Sequence, residues 1–508
     1  MLHGQSVLVL GLGHSGLAMA RWCARGGAQV TVADTREVPP MLAQLREQLP
    51  QARFVHSALD ASLLQAAACR AVFRSPGLAP AQTAAVEAAA RTAGLRVSGE
   101  LGLFVEGLRA LREQQGYAPQ LLAVTGTNGK TTVTALTGHL LRRAGVAVAV
   151  AGNIGPTLLD TLGAALDAQA SGTPLPRVWV LELSSFQLEG VQGFEPHAAA
   201  LLNLSQDHLD WHGSVQSYAA AKARVFGPHT LRVLNRDDPQ VLALQPEPVR
   251  TRGARQQQPA WLGFGAGLPE RPGDYGLETV NGISWLVRAP QADDLPRRPR
   301  DEPAAERPLQ RLMPAQALRI RGRHNATNAL AALALAASTG TPLAPMLHGL
   351  REYRGEPHRV EPVGRLREVE YFDDSKGTNV GATVAALEGL GSERRLVVIL
   401  GGDGKGQDFS PLAPAVARHA RAVVLIGRDA PPLRAALQRT GVPLHDADSM
   451  EQAVRHCAAL AQPGDAVLMS PACASFDMFD NYPHRARVFR AAVAALAHDA
   501  GVDLEASA

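Results

Sequence analysis

A glycine-rich segment between a short apolar run and a helical pattern has the composition of a phosphate-binding loop. It reads Gly126-Thr-Asn-Gly-Lys-Thr131 and follows the apolar run Leu121–Val124. Backbone N–H groups of such a loop bind phosphate oxygens, the Lys130 ammonium neutralises their charge, and the Thr131 hydroxyl can hold Mg²⁺. The spacing departs from G-x-x-x-x-G-K-[ST], because Val124 stands where the first glycine should fall. A chance Gly-Lys-Thr is the alternative, but a position between strand and helix favours nucleotide binding.

A second glycine motif lies near the start of the chain. The strand-like run Ser6–Leu10 leads into Gly11–Gly16, which matches G-x-G-x-x-G, and a helical pattern follows over Leu17–Arg25. The next strand, Gln29–Ala33, ends at Asp34, where dinucleotide-binding proteins contact a ribose hydroxyl. Taken alone, this βαβ unit indicates a nicotinamide or flavin domain. The competing interpretation is that the glycines only permit tight strand–helix packing.

Two further polar groups stand just after predicted strands. Glu182 closes the strand Val178–Glu182 and is either a Mg²⁺ ligand or the partner of a helix N-cap. His208 lies in Asp207-His-Leu-Asp210, after the strand His197–Asn203. A lone histidine is more often structural, but the neighbouring aspartates favour a metal or phosphate role.

Lys222 stands on an apolar helix face. In the predicted helix Val215–Phe226, it shares that face with Tyr218, Val225 and Phe226. The pattern therefore predicts an inward-pointing lysine, whose burial would lower the pKa of the amine and make it chemically available. The alternative is a lysine that extends its ammonium to solvent.

Composition limits the classes of protein. The chain has 508 residues, 46% hydrophobic and 19% charged, with a formal net charge of +3. At roughly 100–200 residues per domain this predicts three or four domains, and it excludes global disorder and a polyanion-coating protein. The four cysteines are scattered, and no basic leader or membrane-length apolar run is seen. We expect a cytoplasmic enzyme without nucleic-acid partners or membrane insertion.

Elements that position these residues alternate as strand and helix along the chain. The last third contains strand patterns at Glu368–Phe372, Leu396–Leu400, Ala422–Ile426 and Ala466–Met469. Polar or glycine-rich loops follow three of them, where open α/β sheets bind ligands. A segment from about Arg288 to Pro314 is rich in proline and arginine, and we interpret it as a mobile surface insertion.

Together these motifs resemble those of the Mur ligases. They follow the same order along the chain as in that family, from Val7 to near Tyr482. The general family motifs are Gly126–Thr131, Gly152-Asn-Ile-Gly155, Glu182-Leu-Ser-Ser-Phe-Gln187, Asp207–Asp210, Lys222 and Gly355-Glu-Pro-His-Arg359. Those typical of the D-glutamate-adding branch are Asp374-Ser-Lys-Gly-Thr-Asn379, Gly401-Gly-Asp-Gly-Lys405 and Ser470-Pro-Ala-Cys-Ala-Ser-Phe476.

The resemblance implies an α/β fold of three domains. They are a Rossmann-like UDP-substrate domain (1–99), a central P-loop-type ATP domain with a mostly parallel sheet (100–354, with the insertion 288–314), and a Rossmann-like D-glutamate domain (355–508). The implied reaction is ATP-dependent ligation of D-glutamate to UDP-N-acetylmuramoyl-L-alanine through an acyl phosphate, with two Mg²⁺ ions. This would be a step of peptidoglycan synthesis, and hence of cell wall biogenesis, cell shape, cell division and the cell cycle, performed by a monomer.

The resemblance also assigns residues to ligands. UDP-substrate contacts would fall to His14, Ser15, Asp34, Thr35, Arg36, Ser75, Pro76, Gly77 and Asn153. ATP would contact Gly126, Thr127, Asn128, Gly129, Lys130, Thr131, Thr132, Asn325 and Asn328. D-Glutamate would contact Lys376, Thr378, Lys405, Ser475, Phe476 and Tyr482. The Mg²⁺ sites would use Thr131, Glu182, His208 and Lys222, the last as a carbamate. The catalytic set would be Lys130, His208, Lys222, His358 and Arg359.

Two departures and two alternatives accompany this assignment. Gly377 stands where the family pattern predicts alanine, which we expect to loosen the loop that carries Lys376. The proline-rich insertion has no clear family equivalent. One alternative is another amide ligase of the superfamily, such as a different Mur ligase or a folylpolyglutamate synthase. The other is a non-catalytic NAD-binding module, which Gly11–Gly16 and Asp34 would support.

Overall fold

The computed structural model describes residues 2–246, 261–290, 309–392 and 394–505. The chain forms two compact units. The first comprises Met1–Leu204, His208–Phe264 and Ala331–Met346, and the second comprises Ser205–Asp207, Gly265–Leu330 and Leu347–Ala508. The predicted division into three domains stays a prediction.

A five-stranded parallel sheet opens the first unit, in the order β3-β2-β1-β4-β5. Its strands are β1 (Ser6–Leu10), β2 (Gln29–Asp34), β3 (Arg53–His56), β4 (Ala71–Arg74) and β5 (Arg96–Gly99). The connecting helices are α1 (His14–Arg25), α2 (Leu42–Gln48), α3 (Ser62–Ala67), α4 (Pro80–Thr92) and α5 (Glu100–Gln115). The central strand β1 is an unbroken apolar run because helices cover both faces of a parallel sheet.

Six more parallel strands of this unit follow the order β11-β10-β9-β6-β8-β7. They are β6 (Gln120–Thr125), β7 (Val148–Gly152), β8 (Val178–Glu182), β9 (Ala198–Leu201), β10 (Leu231–Asn235) and β11 (Trp261–Phe264). The helices are α6 (Lys130–Arg143), α7 (Leu158–Ala170), α8 (Ser185–Leu188), α9 (Leu209–His212), α10 (Val215–Ala223) and α11 (Pro239–Leu242).

One apolar core joins the two sheets of the first unit. It contains Val9 of β1, Phe104 of α5, Leu162 of α7 and Trp179 of β8, all fully buried. The Phe104 and Trp179 rings meet edge to face, with centroids 5.1 Å apart. This packing fixes both sheets, and their loops are therefore held on a rigid base.

The second unit combines an antiparallel meander with a six-stranded sheet. The meander strands are β12 (Tyr275–Val280), β13 (Ile283–Arg288) and β14 (Gln310–Pro314). Helices α12 (Arg323–Ser338) and α13 (Leu343–Glu352) come next along the chain. The sheet order is β15-β16-β20-β17-β18-β19, parallel except for β15.

Strands of this second sheet are β15 (Glu361–Leu366), β16 (Val369–Asp373), β17 (Leu396–Gly401), β18 (Ala420–Ile426), β19 (Leu444–Asp446) and β20 (Ala466–Met469). Its helices are α14 (Val380–Gly391), α15 (Leu412–His419), α16 (Ala430–Leu437), α17 (Met450–Leu460) and α18 (Tyr482–Asp499). Residues after β16, β17 and β20 meet at one edge, since these three strands are neighbours and parallel.

These elements confirm the predicted α/β fold with mostly parallel sheets. Helix α10 ends at Ala223, earlier than predicted. The proline-rich segment was partly misinterpreted, because Arg288 ends β13 and Gln310–Pro314 pair with that strand. Residues 291–308 lie outside the described residues. All four cysteines are buried and free. Among the described helices, none combines the length and apolarity that a membrane span requires.

Candidate active site

The phosphate loop joins β6 to the first turn of α6, as predicted. Gly129 is the N-cap of α6, with a φ of 83°. Gly126 has a φ of 149°, and a Cβ there would lie 3.0 Å from Leu202 Cβ. Glycine is therefore required by backbone conformation at both positions. The loop brings Thr131 and Thr132 into the first turn of a helix whose N-terminus favours anions.

Two lysines converge on one carbonyl of this loop. Lys130 Nζ donates to Gly126 O over 2.9 Å and to Thr127 O over 2.8 Å. Lys222 Nζ donates to the same Gly126 O over 2.7 Å and lies 4.6 Å from the Tyr218 ring centroid. Lys222 is only 1% exposed. The inward orientation predicted for Lys222 is confirmed, and the solvent-directed alternative is wrong.

Asn203 completes the loop and was not among the predicted site residues. Its carbonyl accepts from Thr127 N over 2.9 Å, and its Oδ1 accepts from Asn128 N over 2.8 Å. Its Nδ2 donates to Asn128 O over 3.1 Å. The available sequence clue was its position just after β9, where side chains reach the ligand edge of a sheet.

Glu182 and Asn153 lie together at the ends of β8 and β7. Asn153 Nδ2 donates to Glu182 Oε1 over 3.0 Å, and the carboxylate residue is 4% exposed. The capping interpretation of Glu182 is wrong, because Ser184 is the N-cap of α8 and forms a capping box with Gln187. A Cβ on Gly152 would lie 2.1 Å from Glu182 O, so only glycine permits this approach.

His208 has a left-handed backbone, with a φ of 52°, immediately before α9. Its ring meets Phe186 of α8, with centroids 4.7 Å apart. Phe186 also contacts Trp211 at 4.7 Å. Histidine at this position is thus held by an aromatic cluster next to the strand ends of β8 and β9.

Asp34 organises the predicted UDP-substrate edge. Its Oδ2 accepts from Leu12 N (2.7 Å) and Arg36 Nη2 (2.8 Å), and its Oδ1 accepts from Arg36 N and Nε (both 2.9 Å). Burial by itself would raise the pKa of Asp34, but these hydrogen bonds outweigh it and hold the pKa below its ordinary value. Both oxygens are engaged within the protein, which disfavours Asp34 as a direct ribose acceptor of a nicotinamide cofactor.

Other residues predicted for the UDP-substrate flank Asp34. His14 and Thr35 are exposed, Ser15 is half-buried in α1, and Ser75 N donates to Leu10 O over 2.9 Å. Pro76 and Gly77 continue the turn after β4. The structure therefore brings the ends of β1, β2 and β4 together, while Asn153 lies at the end of β7 in the other sheet.

In the second unit, Lys376, Tyr482 and His358 form a cluster. Lys376 Nζ lies 4.0 Å from the Tyr482 ring centroid, and the His358 ring centroid lies 5.9 Å from it. Lys376 N donates to His358 O over 3.2 Å. Two predicted D-glutamate residues and one predicted catalytic residue thus share one location.

Two adjacent aspartates beneath this cluster were not predicted as site residues. Asp373 Oδ2 lies 2.8 Å from His358 Nδ1, and its Oδ1 accepts from Ser375 Oγ over 2.6 Å. Asp374 Oδ2 accepts from Ser470 Oγ over 2.6 Å, and burial raises the pKa of Asp374 to about 7. Asp373 ends β16 and Asp374 follows it, and the D-D-S-K run was their sequence clue.

The environment of Asp374 explains the departure at Gly377. A Cβ on Gly377 would lie 2.5 Å from Asp374 Oδ2 and 2.8 Å from Ser470 Oγ. Glycine therefore lets the loop pack closely on a buried carboxyl group. The expectation that Gly377 loosens the loop is not supported by this packing.

A triad of possible metal-ligating groups in this unit already has a cation. His358, Glu361 and Asp373 each offer one ligand atom, all within 4.8 Å of one another. Arg490 forms ion pairs with both Glu361 and Asp373. The Arg490 guanidinium offsets the negative charge of the two carboxylates. Glu361 and Asp373 both also contact His358 and hold it in place.

The loop that carries Lys405 is paired with the loop that carries Ser475. Asp403 N donates to Ala474 O over 2.9 Å, and Ala474 N donates to Asp403 O over 2.8 Å. Lys405 has a φ of 51° and an exposed side chain. Ser475 is buried, and Phe476 is 70% exposed. Thr378 lies two residues beyond Lys376, whose carbonyl accepts from Thr378 N over 2.8 Å.

Asn325 and Asn328 lie in the first turns of α12. Asn328 Nδ2 donates to Asn325 Oδ1 over 3.2 Å, and Asn325 Nδ2 donates to Arg321 O over 2.8 Å. Arg359 follows His358 ahead of β15 and is half-buried. Its positive charge opposes the rise in the pKa of Asp374.

A phosphate loop with a buried second lysine, and a separate cluster with a lysine at the strand ends of the second unit, are features expected of a nucleotide-dependent ligase. Family models agree: a MurD-like N-terminal domain of Mur ligases matches residues 5–99, the Mur ligase middle domain matches 124–264, and the Mur ligase glutamate ligase domain matches 358–473. The chain belongs to the Mur ligase family.

Curated relatives narrow the similarity further. A protein of Albidiferax ferrireducens named UDP-N-acetylmuramoylalanine–D-glutamate ligase is 66% identical over 100% of this chain and 99% of its own length. Proteins of the same name from Polaromonas sp. and Burkholderia mallei are 56% and 58% identical. They cover 99% and 98% of this chain, and 100% and 98% of their own lengths.

Solved structures share the fold. MurF ligase from Thermotoga maritima in complex with ADP has a TM-score of 0.57 at 16% identity, covering 97% of this chain and 96% of its own. UDP-N-acetylmuramate–alanine ligase MurC from Thermotoga maritima has a TM-score of 0.55 at 20% identity. The match covers 97% of this chain and 100% of the MurC chain. At this identity the likeness concerns the fold.

Proposed function

We propose that the chain catalyses the ATP-dependent ligation of D-glutamate to UDP-N-acetylmuramoyl-L-alanine. The observation that carries the proposal is the convergence of Lys130 and the buried Lys222 on Gly126 O. A buried lysine beside a phosphate loop fits a ligase that activates a carboxylate with ATP. The choice of substrates rests on the relatives of the same name, which align with 98% or more of the chain.

The phosphate loop would bind ATP. Backbone N–H groups of Gly126–Thr132 would contact the phosphate oxygens, and Lys130 would exchange its two carbonyl contacts for the phosphates. Asn325 and Asn328 would contact the adenine side.

Mg²⁺ fits the donor set of the first unit. Glu182 supplies a buried carboxylate, Thr131 a hydroxyl at the helix start, and His208 an imidazole beside the strand ends. Lys222, as a carbamate, would supply anionic oxygen to a second ion. Bound Mg²⁺ would offset negative charge on the transferring phosphoryl group.

The remaining predicted residues would bind the other substrates. His14, Ser15, Thr35, Arg36, Ser75, Pro76, Gly77 and Asn153 would contact the UDP-substrate, with Asp34 holding Arg36 and Leu12 N–H in position. Lys376, Thr378, Lys405, Ser475, Phe476 and Tyr482 would bind D-glutamate. A dicarboxylate needs cations and hydroxyl or backbone donors, which this set provides.

The reaction would proceed in two steps. The L-alanyl carboxylate attacks the γ-phosphorus of ATP, which gives an acyl phosphate and ADP, while Lys130 offsets the developing charge. The D-glutamate amine then attacks the acyl carbon, and the tetrahedral intermediate expels phosphate. His358 and Arg359 would contact the phosphates, and either His208 or a substrate oxygen would take the amine proton.

We further infer the cellular setting. The enzyme would act as a monomer of three domains, 1–99, 100–354 and 355–508, in the cytoplasm, where scattered free cysteines stay reduced. Its product would feed peptidoglycan synthesis and so support cell shape and division.

Phosphate release from ATP tests the proposal. Release should require both UDP-N-acetylmuramoyl-L-alanine and D-glutamate, and D-aspartate or L-glutamate should not replace D-glutamate. Release that needs a different amino acid would identify another ligase of the superfamily. Binding of NAD without any ATP turnover would favour the dinucleotide-binding alternative and overturn the proposal.

A further inference from the structure

Arg485, in the first turns of α18, is a fully buried arginine next to the D-glutamate cluster. It is 0% exposed. Its guanidinium forms no ion pair within the described part of the chain, and burial lowers its pKa to about 10. Asp373, Asp374 and Asp477 partly oppose this lowering of the pKa, but none of them forms an ion pair with Arg485, and burial of a guanidinium without a direct ion pair costs stability.

The hydrogen bonds of Arg485 go to two substrate loops. Nη2 donates to Ser375 O over 2.9 Å, next to Lys376. Nη1 and Nη2 both donate to Cys473 O over 3.1 Å, two residues before Ser475. One side chain therefore joins the loop after β16 to the loop after β20.

Each of these two peptide groups is also held at its N–H end. Lys376 N donates to His358 O over 3.2 Å, and Ala474 N donates to Asp403 O over 2.8 Å. Asp403 lies two residues before Lys405. The contacts of Arg485 thus extend through two planar peptide groups to the His358 and Lys405 segments.

We propose that Arg485 is a positioning residue for the D-glutamate site, which fixes Lys376, Ser475 and Lys405 relative to one another. This inference rests on the proposed function. Recognition of a dicarboxylate requires cations held at fixed spacing, because small displacements of charged donors weaken both hydrogen bonds and reactive alignment.

Steady-state kinetics of Arg485→Lys and Arg485→Met test this role. Lysine keeps the charge but cannot bridge two carbonyls with a planar fork. We expect Arg485→Lys to raise the KM for D-glutamate by about tenfold or more, with the KM values for ATP and the UDP-substrate within about twofold of wild type. Arg485→Met should raise the KM for D-glutamate further.

Arg421 provides a control at the opposite edge of the same sheet. It is the second residue of β18 and forms an ion pair with Asp465, which precedes β20. Arg421→Met should lower the melting temperature without selectively raising the KM for D-glutamate. If Arg485→Met does not fold, Arg485→Lys still tests the role, together with protection of that variant from heat by D-glutamate, which should be weaker than in wild type.

The outcomes separate the two proposals. Wild-type enzyme that does not ligate D-glutamate contradicts the proposed function. An active wild type whose Arg485→Lys variant has an unchanged KM for D-glutamate, or equal changes in all three KM values, overturns the positioning role.

Discussion

Lys130 and Lys222 donate to the same oxygen atom, the carbonyl of Gly126, over 2.9 and 2.7 Å. Two ammonium groups that share one acceptor repel each other, and burial strengthens that repulsion. Conversion of Lys222 to a carbamate would replace the repulsion with attraction. The geometry of the loop therefore supplies a physical reason for the modification that the family resemblance implies.

Replacement of Lys222 by alanine should abolish ligation, with a loss of at least about 100-fold in kcat, because charge stabilisation at the phosphoryl group is lost. A short carboxylate such as formate should restore part of the activity by entering the space that the side chain leaves. Phosphate release measures both effects. Lys222→Arg, which fills the space, should not respond to formate. Failure of every carboxylate to rescue Lys222→Ala, with metal binding intact, would contradict carbamylation.

Lys405→Ala should act on one substrate only. Lys405 is exposed and lies on the loop after β17, which is separate from the phosphate loop after β6. Because its ammonium would bind a carboxylate of D-glutamate, we expect the KM for D-glutamate to rise by about tenfold or more. The KM for ATP should stay close to wild type. Lys405→Arg keeps the charge and serves as the control. Equal rises in both KM values for Lys405→Ala would refute the assigned role.

Gly16 and Gly13 form a matched pair in the first glycine motif. A Cβ on Gly16 would lie 2.0 Å from Gly11 O, whereas one on Gly13 meets nothing within 4 Å. Gly16→Ala should lower the free energy of unfolding by about 1–3 kcal/mol, as overpacking does, and Gly13→Ala should leave it near wild type. Urea unfolding measures both. A similar loss in the two variants would show that packing against Gly11 is not the constraint.

Asp374 should make stability pH-dependent in a defined direction. Its folded pKa of about 7 lies above the ordinary value of 3.8, so the folded state binds the proton more tightly. The contribution of Asp374 to stability therefore falls as the pH rises from about 4 to 7, by on the order of 3 kcal/mol. Asparagine does not titrate, so the Asp374→Asn variant should not lose this stability as the pH rises.

Chemical unfolding of wild type and Asp374→Asn at several pH values checks this expectation. The difference in unfolding free energy, variant minus wild type, should increase from pH 4 to pH 7 and then level off. Any constant cost of the substitution cancels in that slope. A difference that does not change with pH would contradict a raised pKa for Asp374.

Local sequence patterns were enough to predict many of the strands and the polar or glycine-rich loops that follow them. Val178–Glu182 and Ala466–Met469 were predicted with their observed bounds, because buried parallel strands are unbroken apolar runs that end at glycine or polar residues. The helical spacing around Lys222 likewise predicted its burial, since one face of a helix repeats with a fixed period.

What the sequence could not supply is the set of contacts between distant segments. Asn203 bridges to Asn128, and Arg485 bridges Ser375 to Cys473, but nothing in their neighbourhoods marks them as partners. An asparagine in a loop or an arginine in a helix is compatible with many environments, and only folding determines which backbone groups it satisfies.

The sequence by itself therefore determined the α/β class, the phosphate loop and the family resemblance, all of which depend on residues near one another in the chain. Tertiary structure alone decided that Lys130 and Lys222 share one carbonyl, that both oxygens of Asp34 are engaged within the protein, and that Gly377 packs against Asp374. Periodicity is a local property of the chain, whereas hydrogen-bond partners and close packing are set by the crossing of separate strands and helices at one sheet edge.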